Sequence, residues 1–246
     1  MEKHTIPILG VPVYILNSSQ IIEKINSFLQ KDKHHFIITA NSLMLNQVSQ
    51  DKNLKECFSK ADLVIPESVG VVWAIQFLKK IKDIERTPGI DLLWRILNIA
   101  EEKGYKVYLL GSKQSVIEEA VKNIKKKLKN IIIVGYHNGY FTLKEEKHII
   151  SDINNKKTDI LFVGMNATQQ ERWIYEHLNM FKTKLCMGVG GSFDVISGRL
   201  KRAPLWMRNL GLEWFFRFLQ QPWRIKRVIR LPEFVIRVIL ETVYRR

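Results

Sequence analysis

Val107-Tyr108-Leu109-Leu110-Gly111-Ser112 is a short apolar run that stops at a glycine–serine turn. It reads as a strand buried on both faces, and the turn opens a helix reaching to around residue 128. The unit then repeats. Residues 131–134 form a second run, followed by the loop His137-Asn138-Gly139-Tyr140-Phe141 and a helix ending near residue 154. Residues 160–163 give a third run, then Gly164 to Thr168 and a helix through Trp173. A fourth, residues 185–189, ends at Gly190-Gly191. Buried strands alternating with helices of about 10–15 residues predict an α/β fold, with a largely parallel sheet covered by helices on both faces.

Working upstream, Leu63-Val64-Ile65 ends at Pro66-Glu67-Ser68, and a helix follows through Trp73 and Leu78. A charged loop then leads to Thr87-Pro88-Gly89 and a helix over residues 91–103. Phe36-Ile37-Ile38-Thr39 is a further apolar run, closing in a polar loop at Asn41. Ile21, Ile22, Ile25, Phe28 and Leu29 recur at helical spacing, with Ser18 or Ser19 suited to the cap. Residues 6–16 read as two short strands or a hairpin around Gly10 and Pro12. The uncharged stretch 5–22 invites comparison with an export signal. However, Pro7, Gly10, Pro12, Asn17 and Ser18 interrupt it, and no small-residue cleavage site follows. No segment approaches the roughly 20 apolar residues of a membrane-spanning helix.

The 246 residues, 46% apolar and 26% charged, suffice for a sizeable core. Cys57 and Cys186 lie far apart, with neither a disulfide framework nor a Cys/His cluster for zinc, which fits a reducing compartment. The net charge of +15 calls for an anionic partner. The excess is concentrated at one end: residues 199–246 hold twelve Lys/Arg and three Asp/Glu. This segment is also rich in aromatics (Trp206, Trp214, Phe215, Phe216, Phe218), and Pro222 and Pro232 divide its later part into short helical pieces. Basic residues interleaved with aromatics at helical spacing suit a helix lying in an anionic membrane interface. The same composition suits nucleic acid, but the chain carries no nucleic-acid module signature. We therefore draw a boundary at residue 199, between a catalytic α/β domain (1–198) and a C-terminal appendage (199–246). Its exposed aromatics also make self-association into a homo-oligomer an expectation.

In parallel α/β folds, ligands bind where loops leave the carboxyl ends of strands. Gly188-Val189-Gly190-Gly191-Ser192 is such a loop, where Gly190 and Gly191 allow close backbone approach and Asp194 can accept from a sugar hydroxyl. Gly111 at the first turn fits either a phosphate cradle or a plain tight turn. Glu67 suits a general base at a strand end, or equally the start of a helix capped by Ser68. Thr39 and Asn41 offer hydrogen bonds to a sugar, Gln170-Glu171 fit either that or a solvated helix face, and Arg86 can neutralise a diphosphate. His137 is a second candidate base, or an exposed loop histidine.

Taken together, Ala61-Asp62-Leu63-Val64-Ile65-Pro66, Gln170-Glu171-Arg172-Trp173, Gly188-Val189-Gly190-Gly191-Ser192-Phe193-Asp194, Arg202-Ala203-Pro204, Gly211-Leu212-Glu213-Trp214 and Pro222-Trp223-Arg224 resemble the WecG/TagA/CpsF glycosyltransferases. The blocks occur in order over nearly the whole chain. The resemblance implies a Rossmann-like core and a C-terminal appendage that docks on the cytoplasmic face of the membrane and completes the site. It also implies an inverting reaction needing neither metal nor other cofactor. In the teichoic-acid members, N-acetylmannosamine passes from UDP to N-acetylglucosamine on undecaprenyl diphosphate; other members transfer N-acetylmannosaminuronic acid or glucose. Carried over by position, Thr39, Asn41, Tyr140 and Gln170 match donor-pocket residues. Arg86 matches an arginine near the diphosphate, and Arg217, Arg224 and Arg227 match appendage arginines that hold phosphate. The family's Pro-Asp-Gly, whose aspartate is its base, is here Pro66-Glu67-Ser68. Its Gly-x-Pro-x-Gln-Glu is here Asn166-Ala167-Thr168-Gln169-Gln170-Glu171.

Overall fold

The computed structural model describes residues 5–81 and 83–244, with the side chains of Arg227 and Tyr244 outside that description. Arg245 and Arg246 also lie outside it. The chain opens with β1 (Thr5–Ile8) and β2 (Val11–Tyr14), an antiparallel hairpin in which Ile8 pairs with Val11. The two turn residues, Leu9 and Gly10, both take positive φ (49° and 81°), the combination that matches strand twist in a two-residue turn. The stretch compared with an export signal thus becomes a hairpin whose Ile6, Ile8, Val11 and Val13 are buried in the core.

There follow α1 (Ser18–Leu29), β3 (His35–Ala40), α2 (Ser42–Val48), α3 (Lys52–Lys60), β4 (Leu63–Pro66), α4 (Val69–Lys79) and α5 (Gly89–Lys103). The regular half then runs through β5 (Lys106–Gly111), α6 (Gln114–Lys127), β6 (Ile132–His137), α7 (Leu143–Asn155), β7 (Ile160–Gly164), α8 (Gln169–His177), β8 (Leu185–Gly188) and α9 (Ser192–Ile196). Strands β3 to β8 form one six-stranded sheet in the order β4-β3-β8-β7-β5-β6, and every pairing is parallel.

Alternate residues of each strand serve opposite faces, as a pleat requires. Phe36, Ile38, Val64, Leu110, Leu161 and Cys186 meet α2, α3, α4, α7 and α8 on one side. Ile37, Leu63, Leu109, Phe162 and Met187 meet α1, α5, α6 and α9 on the other. This is the Rossmann-like, doubly covered sheet that the alternation of runs predicts.

The C-terminal segment comprises α10 (Leu205–Asn209), α11 (Glu213–Gln220), a short 3-10 turn (Pro222–Arg224), α12 (Ile225–Val228) and α13 (Leu231–Tyr244). Pro232 does not divide α13. It falls in the first turn, where its missing N–H has no helical partner to lose. The helix then returns to the core. Phe234 and Val238 are 1% and 0% exposed among Val71, Ala74 and Ile75. The Glu233 carboxylate accepts from Asn46 and Gln50, and Glu241 accepts from the Leu9 backbone N–H.

Candidate active site

The carboxyl edge of the sheet opens into a cleft of about 1010 Å³, roofed by residues 199–203, α11 and the 3-10 turn. Its floor is set by how β4 ends. Ser68 caps α4, accepting from the Val71 N–H and pairing with Ser42, and this leaves Glu67 to line the cleft. The cap read for the Glu67-Ser68 pair thus falls to Ser68 alone.

Glu67 Oε1 accepts from the Gly89 N–H at 3.2 Å, taking the place of a side-chain cap at the start of α5. Oε2 lies 3.5 Å from the Asn41 amide, whose own oxygen caps α2. The approach depends on Gly89 lacking a side chain, since a Cβ there would stand 2.9 Å from Thr39 Oγ1 and 3.0 Å from Glu67 Oε1. Burial of the carboxyl pushes its pKa above the ordinary value. The Gly89 and Asn41 hydrogen bonds and the charge of Arg217 work against this, and Glu213 adds to it. A carboxylate so placed is one fit to accept a proton.

Gln170 is 5% exposed and organises the far wall. Its Oε1 accepts from the Gly190 N–H at 2.9 Å and the Met165 N–H at 3.2 Å, tying together the loops after β8 and β7. Its amide donates to Glu171 Oε1 at 2.6 Å, and Glu171 Oε2 accepts from the Thr168 N–H. Burial without a cationic partner raises Glu171 to about 7, although these hydrogen bonds favour its charged form. Thr168 holds a positive φ of 69°, costly for a threonine and found at the position where the family pattern changes.

The roof carries the charge. Among the described residues, eight cationic side chains and three carboxylates line the cleft. The Arg217 guanidinium lies directly over Gly191, where any Cβ would collide with it. The Nε of Arg217 is buried without a protein hydrogen-bond acceptor, an arrangement that an anionic ligand would satisfy. Arg86 pairs with Glu213 at 3.3 Å and donates to the Arg208 carbonyl. Arg224 donates to Gln221, and Arg199, Lys201, Arg230 and Lys113 complete the cationic lining. Among the described residues no group of three or more His, Cys, Asp or Glu stands close enough to hold a metal ion, and no helix is long and apolar enough to cross a membrane.

Of the residues read from the sequence, Thr39, Asn41, Glu67, Arg86, Tyr140, Gln170, Gly190, Gly191, Asp194, Arg217 and Arg224 line this one cleft. Gly111 does not; its φ of 141° and its contact with the Gly164 backbone make it a packing glycine, and Ser112 and Lys113 take the cleft position beside it. Gly190 lines the cleft, but its N–H is already engaged by Gln170. The Arg227 side chain lies outside the described residues. His137 ends β6 with its ring edge-on to Phe141, away from the cleft. The sequence reading passed over Asp91, Glu213, Lys113 and Ser42. An acidic residue in a basic segment (Glu213) and one in a helix's first turn (Asp91) were the available signals.

A parallel sheet with a partly enclosed carboxylate beneath a canopy of guanidinium groups is the arrangement of a site that can receive an anionic ligand and accept a proton. The chain matches the glycosyl transferase WecG/TagA/CpsF family over residues 6–246 and belongs to that family. It is 35% identical over 235 residues to the N-acetylglucosaminyldiphosphoundecaprenol N-acetyl-beta-D-mannosaminyltransferase of Staphylococcus aureus (strain MW2), covering 95% of this chain and 91% of that protein. The enzyme of the same name from Bacillus subtilis (strain 168) is 30% identical, over 92% of this chain and 91% of its own length. The protein is accordingly a glycosyltransferase, and the reading as a non-enzymatic nucleic-acid-binding module is set aside.

Proposed function

We propose that the protein transfers N-acetylmannosamine from UDP to the N-acetylglucosamine of a diphosphoundecaprenol-linked acceptor, in a single inverting displacement. The observation that carries this reading is the Glu67 carboxylate, held at the floor of a cation-lined cleft by the Gly89 N–H and the Asn41 amide. An acceptor hydroxyl attacks the anomeric carbon from the face opposite the nucleotide. As the new C–O bond forms, the hydroxyl proton passes to Glu67, and the bond to the diphosphate breaks with its electron pair leaving on UDP. Arg217, Arg224 and neighbouring cations meet the developing charge without a metal ion. The Gln170-tied loop and Asp194 face the sugar, and Tyr140, 72% exposed, stands at the rim. Residues 199–246 close the site and dock on the cytoplasmic face of the membrane, where the lipid-linked acceptor lies.

Transfer from UDP-N-acetylmannosamine to a short-chain acceptor, with and without EDTA, tests the scheme. Glu67→Gln and Glu67→Ala should lose about 10²–10⁴-fold in kcat. Near-normal rates in both would remove Glu67 from the chemistry. The Glu67 and Thr168 departures, both at the sugar side, favour including UDP-glucose and UDP-N-acetylmannosaminuronic acid in the same assay. A better rate with either would change the donor while leaving the mechanism.

A further inference from the structure

A carboxylate among the cations of an anion-binding cleft opposes the electrostatics of that cleft, and Glu213 is such a group. It is the first residue of α11. Its Oε2 stands 3.3 Å from Arg86 Nη1 and its Oε1 3.5 Å from Arg202 Nε, with all three side chains about three-quarters buried (21–27% exposed). Arg202 in turn makes a bidentate pair with Asp91, both contacts at 2.6 Å. Burial alone would raise the Asp91 carboxyl, but this pairing, with Arg208 and Arg86 beyond, holds it below the ordinary range.

The four charges form an unbroken line, Asp91–Arg202–Glu213–Arg86, that crosses twice between the C-terminal segment and the core. It ends at the base. Asp91 lies two residues beyond Gly89, whose N–H holds Glu67, and Arg86 enters the Thr87-Pro88-Gly89 turn from the other side. Without Glu213, two guanidinium groups would face each other unshielded, and the turn into α5 would keep only the Asp91–Arg202 pair and the Arg86 bond to the Arg208 carbonyl as side-chain ties to the C-terminal segment.

We propose that Glu213 is a positioning residue for sugar transfer. By bridging Arg86 and Arg202 it fixes the C-terminal segment on the Thr87-Pro88-Gly89 turn, and so sets Glu67 against the acceptor. The assignment rests on the reading of Glu67 as base. Its role is alignment, and its charge opposes rather than aids nucleotide binding.

That opposition gives a test. Glu213→Gln removes the charge at nearly constant shape, so calorimetric binding of UDP alone should be unchanged or tighter while kcat falls on the order of tenfold or more. Asp91→Asn should lower kcat similarly, and the double variant should lose no more than the worse single one, because both act through Arg202. Amide exchange at residues 89–92 should quicken in either variant, a readout independent of the donor sugar. UDP binding that weakens in step with kcat would mark a merely structural role and overturn the proposal. So would multiplying losses, or unchanged exchange at those amides. Glu67→Gln, run alongside, separates the two readings: full activity there would fail the base assignment, while the exchange and UDP-binding results would still judge the latch.

Discussion

Three single residues in or beside the cleft each make a distinct prediction. As the proposed base, Glu67 must be ionised to accept a proton, and its carboxyl is raised by burial. Activity should therefore fall on acidification at a pH above the ordinary glutamate value of about 4.3, as the acid limb of a kcat/KM–pH profile will show. A limb at or below that value would contradict the burial argument. At Gly89, alanine is the better helix former by up to about 1 kcal/mol, yet its Cβ would press on Thr39 and Glu67. Gly89→Ala should keep the melting temperature within a few degrees while lowering transfer about tenfold or more, because the carboxylate is displaced. Glu171 is raised to about 7 in the folded state, so folding favours its protonated form. Stability should be greatest below the unfolded value, decline as pH rises to about 7, and then level, a loss of up to about 3 kcal/mol. Glu171→Gln should flatten that slope in thermal melts across pH 4–8, whatever fixed cost it adds at the Thr168 N–H.

At the scale of elements, how much was legible depended on whether periodicity or distant packing decided the outcome. The runs at β5, β7 and β8 are apolar on both faces because helices cover both, so their composition alone announced a parallel sheet. Between Asn41 and Leu63, where the periodicity assigns no element beyond the polar loop at Asn41, two short helices, α2 and α3, form. Their caps, Asn41 and Asp51, were visible, but Asn41 was weighed only as a sugar ligand. It does both jobs, capping with its oxygen and turning its amide to Glu67. The stripe on α13 was legible as helical and opaque as to its partner. Helical spacing cannot distinguish a bilayer from a protein core: of Phe234, Val235, Val238, Ile239 and Val243, Phe234 and Val238 are core and the other three are exposed. Phe234→Ala should cost about 3–5 kcal/mol in urea unfolding. Ile229→Ser, at a position 69% exposed, should stay within about 0.5 kcal/mol. Equal costs would mean that α13 is not docked as described.

Across the whole molecule, the distribution of charge and apolar surface fits the proposed reaction at a membrane interface. Most of the sheet's apolar residues are enclosed, whereas the C-terminal segment leaves Leu205, Trp206, Leu210, Leu219, Trp223 and Ile229 between 57% and 70% exposed. They belong to the same segment as the cationic roof of the cleft, and Trp223 lines the cleft itself. A protein gains nothing from keeping such groups in water, but one that receives, as we propose, a diphosphate on a lipid tail does. Each basic side chain near an anionic leaflet adds about 1 kcal/mol, and each indole adds its own transfer energy. Binding should therefore need both contributions. The intact chain should pellet with phosphatidylglycerol vesicles and poorly with phosphatidylcholine, and added salt should release it because exposed charges are screened. Replacing Trp206 and Trp223 together by serine should weaken partitioning about tenfold or more while the melting temperature holds, since neither side chain is buried. Transfer to a water-soluble acceptor should survive better in that variant than transfer to a vesicle-borne one. If both acceptors suffered equally, the indoles would belong to the substrate pocket rather than to the membrane contact.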